Sequence, residues 1–455
     1  MIISQQASNQ PMRSPPELDF SRLEPHLSNS IMEPDFLGFT ARSWVKLMAE
    51  QGPVFKATVA GKQHYVICGH DVDVAAWKQP SNWIYGPPAP GGNFFREQLG
   101  NTHVTQLDGE AHRRARKLIL PAFGVASVTR DLDIAAEVIG SSLAALPGAQ
   151  FNLHTELSVM MAKSLSKTQV KTSLTEDELR LLVTFEEMFI PAVALSPENR
   201  LSWYSTDTFQ RARAFSFNRF EAIVTHRLVG DRPGDSLDFI MDQAAPNGWA
   251  SLSKDELVSA TYLLLVAGVG NIANILCAAV WALAEHPVWM DRLRAELETF
   301  SPPVLKSGLR NLPVLKAVIS EVERCYLPAP VIPKMTAGAV DLFGMTIPAG
   351  VSVLHLHGLA HFEPERYDRP EEFDPSRWLD NRAARANAFG GGIHLCLGMG
   401  VTRLYVPMVL ALLTQQYDCL AQGAPTLVSQ NSEIDYAPKT TELLMSIQPR
   451  VNSCG

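Results

Sequence analysis

Phe389-Gly390-Gly391-Gly392-Ile393-His394-Leu395-Cys396-Leu397-Gly398 is the stretch on which the reading of this chain turns. Three consecutive glycines lead to one cysteine, and a helical pattern follows from Leu397 to about Gln416. Glycine has no Cβ, so its backbone can come close to a flat ligand. A thiolate at a helix start is favoured by the local positive potential. Together these suit a cysteine sulfur bound to a haem iron, with backbone N–H groups aimed at the sulfur. The structural alternative is a buried free cysteine beside a glycine-rich turn.

The rest of the chain is consistent with a large folded protein. Its 455 residues are 46% hydrophobic and 19% charged, which argues for a globular protein and against disorder. A net charge of −8 gives no general attraction to nucleic acid or anionic lipid. The six cysteines (Cys68, Cys277, Cys325, Cys396, Cys419 and Cys454) have no paired or ligand-like spacing, which favours a reducing compartment. Met1 to Pro16 has no basic start followed by an apolar run, so neither a signal peptide nor a membrane anchor is expected. Leu257 to Ala284 carries no Asp, Glu, Lys or Arg and is long enough to span a bilayer. Its acidic flanks and its Gly268, Gly270, Asn271 and Asn274 favour the central helix of a soluble protein.

Outward from the cysteine, the pattern is mostly helical. Residues 1–30 read as a loose extension and 31–455 as one domain. A helix is expected at 42–50, strands at Val54–Thr58 and His64–Cys68, and a long loop from Ser81 to Gln106. Helices follow from Gly109 to Thr299 and again from Asn311 to Cys325. A hairpin is expected around Asp341–Gly350, an irregular region from about Phe362 to Ala388, and short strands in the tail. The predicted class is mainly α, with a large helical lobe and a small β-rich lobe.

Two clusters could serve the cysteine loop. Glu321 and Arg324 are three apart and share a helix face. His112 and Arg116 are four apart in Asp108-Gly109-Glu110-Ala111-His112-Arg113-Arg114-Ala115-Arg116, and they too project from one face. Partly buried haem propionates need such cationic or hydrogen-bonding partners. Arg113, Arg114 and Lys117 read as a solvated face. Zinc is not expected, since no His/Cys cluster is present. There is neither a phosphate loop nor a nucleophile elbow.

The spacing F-G-x-G-x-H-x-C-x-G resembles the haem-binding loop of the cytochrome P450 family. The resemblance implies the cytochrome P450 fold and haem b, with Cys396 as iron ligand and Phe389, Gly390, His394 and Gly398 forming its loop. Phe373-Asp374-Pro375-Ser376-Arg377-Trp378 resembles the family's F-x-P-x-R-F/W segment. By that likeness Glu321, Arg324 and Arg377 form the clamp that holds the cysteine loop. The His112–Arg116 segment is similar to the family helix whose H-x-x-x-R binds a propionate. His394 and Lys334 are further partners, although the family usually has Arg at the Lys334 position. The family also receives its electron donor on this side, which gives the basic face a second reading.

The departure lies on the other side of the haem. The apolar helix resembles the family's central helix, whose run is A/G-G-x-D/E-T. Here it reads Ala267-Gly268-Val269-Gly270-Asn271, with Asn271 sixteen residues before Pro287. Gly270 replaces the acid and Asn271 the alcohol that relay protons for O–O cleavage in the family. Gly270 cannot carry a proton, and an amide has no useful acidity. Either water or a substrate hydroxyl relays protons, or peroxide supplies reduced oxygen, or dioxygen is not activated. Alternatively, Gly270 makes room for a large substrate. The distal pocket is expected from Trp83, Ile84, Tyr85, Phe94 and Phe95, from Leu264, Ala267, Gly268 and Asn271, and from Ala329, Val331 and Ile332. Trp83 often lies near a propionate in the family. Met188–Phe215 is expected to form a mobile lid.

The resemblance thus implies a soluble, cytoplasmic monooxygenase of specialised metabolism that inserts one oxygen atom from O2 into an apolar small molecule. Electrons would come from a separate ferredoxin or flavoprotein, with no nucleic acid or membrane partner. The alternatives are a haem-thiolate isomerase, peroxygenase or nitric-oxide-using enzyme, and a non-catalytic haem sensor.

Overall fold

β-branched and aromatic residues, buried in runs such as Tyr65–Cys68 and Val353–Leu356, build the smaller lobe. In the computed structural model, Glu17–Leu18 (β1) pairs in parallel with Val54–Val59 (β2), and β2 pairs antiparallel with Lys62–Cys68 (β3). Trp83–Ile84 (β4), Ile332–Thr336 (β5) and Ser352–Leu356 (β6) complete a sheet of order β1-β2-β3-β6-β5-β4. Val54, Ile67, Trp83 and Val353 bury one face of it together with Val72 and Ala76 of the helix His70–Trp77 (α1). The expected hairpin forms from Val340–Leu342 and Met345–Ile347, turning at Phe343 and Gly344 with positive φ, as a tight hairpin turn requires. In the tail, Tyr417–Ala421 pairs antiparallel with Leu444–Pro449. The structure describes residues 17–18, 49–379 and 386–450, apart from 60–61, 149, 195–196, 245, 247, 249, 299–308, 310–311, 424–425 and 430–438. Most of the helix expected at 42–50 and most of the expected 1–30 extension lie outside them.

The expectation of a loop from Ser81 to Gln106 is corrected. Pro90–Leu99 is a helix (α2), with Pro at its first position, where the missing N–H costs nothing. Gly109–Ile119 (α3), Leu153–Thr168 (α4), Glu176–Phe189 (α5) and Asp207–Leu228 (α6) follow. Then come Lys254–Leu265 (α7), Val269–Glu285 (α8), Pro313–Cys325 (α9) and Met399–Gln416 (α10). Capping boxes start α5, from Thr175 and Glu178, and α7, from Ser253 and Glu256. The segment expected as a lid holds the end of α5 and the start of α6.

The charge-free stretch lies at the centre of the helical lobe. Lys254–Glu285 is long and apolar enough to cross a membrane, yet 72% of its most apolar window is buried by the rest of the chain. α8 packs against α4, α9 and α10. The stretch is two helices rather than one. The Ala267 N–H reaches back five residues to Tyr262 C=O, and the Val269 N–H only three, to Val266 C=O. The wide turn and the tight turn together open the ladder at Val266, Ala267 and Gly268.

Candidate active site

The cysteine loop takes a shape that its glycines allow. Gly390 and Gly392 hold φ near +69° and +65°. Gly391 lies on the Trp77 indole, where a Cβ would fall inside the ring system. The Cys396 N–H donates to Phe389 C=O at 3.0 Å and closes the loop. N–H groups of Gly398 and Met399, at the start of α10, donate to the Cys396 sulfur. Depth in the protein raises the thiol pKa more than these bonds and the Arg116 charge lower it. The sulfur is exposed within the cavity that it lines.

The loop is anchored through a buried carboxylate. Glu321 Oε1 accepts from Arg324 Nη2 at 2.8 Å, Arg377 Nε at 3.0 Å and the Asp374 N–H at 2.9 Å. Its Oε2 accepts from Arg324 Nε at 3.0 Å and Trp378 Nε1 at 2.8 Å. Arg324 also donates to the carbonyls of His361, Pro370 and Glu372, and Arg377 to those of Asp368 and Glu372. A residue not singled out in the sequence carries the connection onward. Burial, more than the charges nearby, lowers the His361 pKa to about 3, so the ring is neutral. Its Nδ1 lies 3.2 Å from Arg324 C=O and its Nε2 accepts from the Asn387 N–H at 3.0 Å, which fixes the tautomer. The Gly390 N–H in turn donates to Asn387 C=O.

A cavity of ≈330 Å³ opens in front of Cys396, lined by His112, Arg116, Phe389, Gly390, His394 and Gly398 on the loop side. Ala267, Gly268 and Asn271 face it from the helix break, with Leu264, Ala329 and Ile332 beside them. His112 and His394 stack with their rings 4.0 Å apart, and Tyr85 packs on His394 at 3.9 Å. Burial, then the Arg116 charge, pushes His112 down to about 4. Burial, then the charges of His112, Arg116 and Lys334, pushes His394 down to about 3. Both rings are therefore neutral at pH 7. Both nitrogens of His112 and Nε2 of His394 are buried without a hydrogen-bond partner. Buried polar atoms are rarely left so. Beside the Arg116 guanidinium, which donates to Leu395 C=O, they form a donor set that fits the carboxylates of a haem whose iron faces Cys396.

Other expected partners lie elsewhere. Lys334 is fully buried outside the cavity lining, 3.1 Å from His355 Nδ1 and 3.8 Å over the Trp83 ring. His355 Nε2 continues to Asp73 Oδ1 at 2.6 Å. Burial lowers the Lys334 pKa to about 7 against the pull of Asp73. Trp83 gives its N–H to Ala76 C=O at 2.9 Å. Trp83, Phe94 and Phe95 do not line the cavity, whereas Val104, Leu263, Ile272, Ile275 and His357 do. In the basic segment, Arg113 pairs with Glu110, and Arg114 pairs with Glu256 at 2.6 Å, tying α3 to α7.

On the distal side, Asn271 Nδ2 donates to Ala267 C=O at 3.2 Å, bridging the break. Gly270 points away from the cavity. A Cβ there would lie 2.6 and 2.7 Å from the carboxyl oxygens of Glu186 on α5. Glu186 is 5% exposed, and its carboxyl accepts the Gly270 N–H.

The family model "Cytochrome P450" matches residues 39–445. The cyclooctat-9-en-7-ol 5-monooxygenase of Streptomyces melanosporofaciens is 27% identical over 72% of this chain and 75% of its own. The pentalenene oxygenase of Streptomyces avermitilis is 25% identical over 72% and 76%. The solved structure of retinoic acid bound cyanobacterial CYP120A1 superposes with a TM-score of 0.77 at 22% identity, over 96% of this chain and all of that one. The fold is thereby shared with a solved relative over nearly its whole length.

Proposed function

This chain belongs to the cytochrome P450 family, so it binds haem b and is an oxidoreductase of the monooxygenase type, and we propose that it oxygenates a hydrocarbon-rich small molecule. Cys396 would hold the iron; His112, Arg116 and His394 would hold the propionates; and Glu321, Arg324 and Arg377 would fix the loop that carries the sulfur. When bound, the haem supplies the redox chemistry through which one atom of O2 enters the substrate and the other becomes water. The chain's own part is to bind, orient and exclude water. Leu263, Leu264, Ile272, Ile275 and Ile332 give the cavity an apolar wall with few groups to orient a polar substrate. That wall, facing a cysteine sulfur held by two backbone N–H groups, is the observation that carries the reading.

The two Streptomyces relatives, by their names, oxygenate cyclooctat-9-en-7-ol and pentalenene, which supports a terpene-like substrate. The remainder of the proposal is a single haem-binding unit from about residue 31, working in the cytoplasm with a separate ferredoxin or flavoprotein donor. Peroxide use is one of the alternatives that Gly270 and Asn271 leave open; the Glu186 carboxyl, which accepts the Gly270 N–H, favours use of O2. Two experiments test the proposal. Reduced protein with carbon monoxide should give a red-shifted Soret band that Cys396→Ser abolishes; a band that survives the substitution rejects the ligand. Terpene hydrocarbons should shift the resting Soret band and draw NADPH through a surrogate redox chain into oxygenated product. Turnover with peroxide alone, and none with the redox chain, would overturn the oxygenase reading.

A further inference from the structure

We infer that Glu186 takes the place of the acid missing at position 270, holding on α5 the proton that the distal cavity draws through the break between α7 and α8. The inference rests on the monooxygenase reading. Putting one atom of O2 into a substrate and reducing the other to water consumes protons as well as electrons, and the cavity needs a group that delivers them. Among the described residues that line the cavity, the helix break offers only an amide and backbone.

The geometry behind the break supplies that group. The Glu186 carboxyl fills the space where any side chain at 270 would begin, and it takes the Gly270 N–H. This is the turn at which the helix ladder is open, and Ala267 and Gly268 present its other face to the cavity. On the cavity face the break is uncrowded: a Cβ on Gly268 would meet nothing nearer than Ile272 Cδ1 at 3.9 Å.

The surroundings keep the carboxyl protonated. Burial, then repulsion from Glu187, raises its pKa to about 8, against the Gly270 N–H. Tyr262 of α7 faces it with a hydroxyl that is itself buried without a hydrogen-bond partner. From α4, His154 reaches Glu187 at 3.2 Å. The α6 cation that reaches α5, Arg219, pairs with Glu178, two turns away at the other end of the helix. No cation is therefore recorded against Glu186 among the described residues. In each cycle the Glu186 O–H bond breaks and its proton goes to an acceptor on the cavity side of the break. The carboxylate left behind regains a proton from solvent by way of Glu187, whose side chain is 17% exposed.

Two measurements on the haem-loaded protein test this. The first needs no turnover: infrared difference spectra against pH should show a protonated carboxyl that titrates near pH 8 and disappears in Glu186→Gln. The second is product formed per electron with a surrogate redox chain. Glu186→Gln should lower it, on the order of a hundredfold in product rate, and remove the alkaline limb of its pH profile. Glu186→Asp should keep part of both. Glu186→Ala with Gly270→Asp returns an acid to the helix and should restore product. The inference is overturned if Glu186 is ionised at pH 7, or if the Gln variant matches wild type in yield and pH profile. Failure of the monooxygenase reading looks different, because wild type itself then makes no product with the redox chain.

Discussion

Replacing Glu321 with alanine should cost as much as the severest core truncations, because it leaves two positive charges buried. Glu321 and Arg324 are fully buried and Arg377 is 6% exposed. The substitution removes the acceptor of five hydrogen bonds, three of them from guanidinium groups. Both arginines keep their carbonyl partners but lose the one carboxylate in ion-pair contact with them among the described residues, leaving Arg377 only the weaker pull of Asp374. Breaking a buried ion pair from one side typically costs about 3–5 kcal/mol. The Trp378 and Asp374 N–H groups, left unpaired, add roughly 1–3 kcal/mol each if they stay dry. These contributions overlap, so about 5 kcal/mol is expected, a third or more of a stability of roughly 5–15 kcal/mol. Urea unfolding followed by far-UV circular dichroism gives the free energy, and the Soret absorbance per mole of protein gives haem retention. Both should fall together, since the clamp reaches the cysteine loop through His361 and Asn387. Adding Arg377→Leu should cost less than the sum, with coupling of about 1–3 kcal/mol. A loss below about 1 kcal/mol with full haem content would refute the clamp, and so would additive effects in the double variant.

Three further outcomes follow from the geometry. Glu186 has its pKa raised from 4.5 to about 8, so below pH 4.5 both folded and unfolded states hold its proton. As pH rises from there to about 8 only the unfolded state ionises; stability falls by at most about 5 kcal/mol and then levels off, and Glu186→Gln should flatten that slope in urea melts. Gly391→Ala must displace the Trp77 ring, at a cost of about 1–3 kcal/mol, with lower haem occupancy; a wild-type melting temperature and Soret ratio would show that the ring gives way freely. His361→Ala should speed hydrogen exchange at the Asn387 amide roughly tenfold or more, through loss of its acceptor, while the Glu321–Arg324 pair persists; unchanged exchange would cut the link from clamp to loop.

Much of the site is legible in the sequence because its parts lie at short, fixed spacings. Glu321 and Arg324 share a helix turn, His112 and Arg116 share another, and Cys396 follows its glycines directly. The misreadings come from contacts made at long range. Pro90-Gly91-Gly92 reads as loop, yet the proline is the first residue of a helix whose Phe94 and Leu99 bury in the core. Lys334 reads as an arginine substitute, but it is held by Trp83 and His355, with Asp73 behind His355, through contacts distant in sequence. The break at Ala267 has a local signal in Gly268, which caps α8, but the apolar run continues through it and reads as one helix. Glu186 did leave a signal: it falls on the stripe Leu179, Leu182, Val183, Glu186, where helical spacing expects an apolar residue. A carboxylate on a buried stripe is costly unless it is protonated or paired.

Gly270 and Glu186 are better understood as one unit than as a loss and a coincidence. Position 270 can carry a side chain only if the carboxyl moves, since a Cβ would lie 2.6 Å from Oε2. Conversely, without an acid or a bulky group at 270, the space behind the break would be a void beside a free backbone N–H. A carboxylic acid from α5 fills the volume and accepts that N–H. The exchange changes what the acid is attached to. An acid on α8 would stay fixed to the helix over the cavity whatever its neighbours did. Glu186 belongs to α5, four residues before Ile190 ends that helix, so its distance from the break follows the position of α5. Any shift of α5 when the cavity fills moves the proton donor with it, by a lever that an acid at 270 would not have.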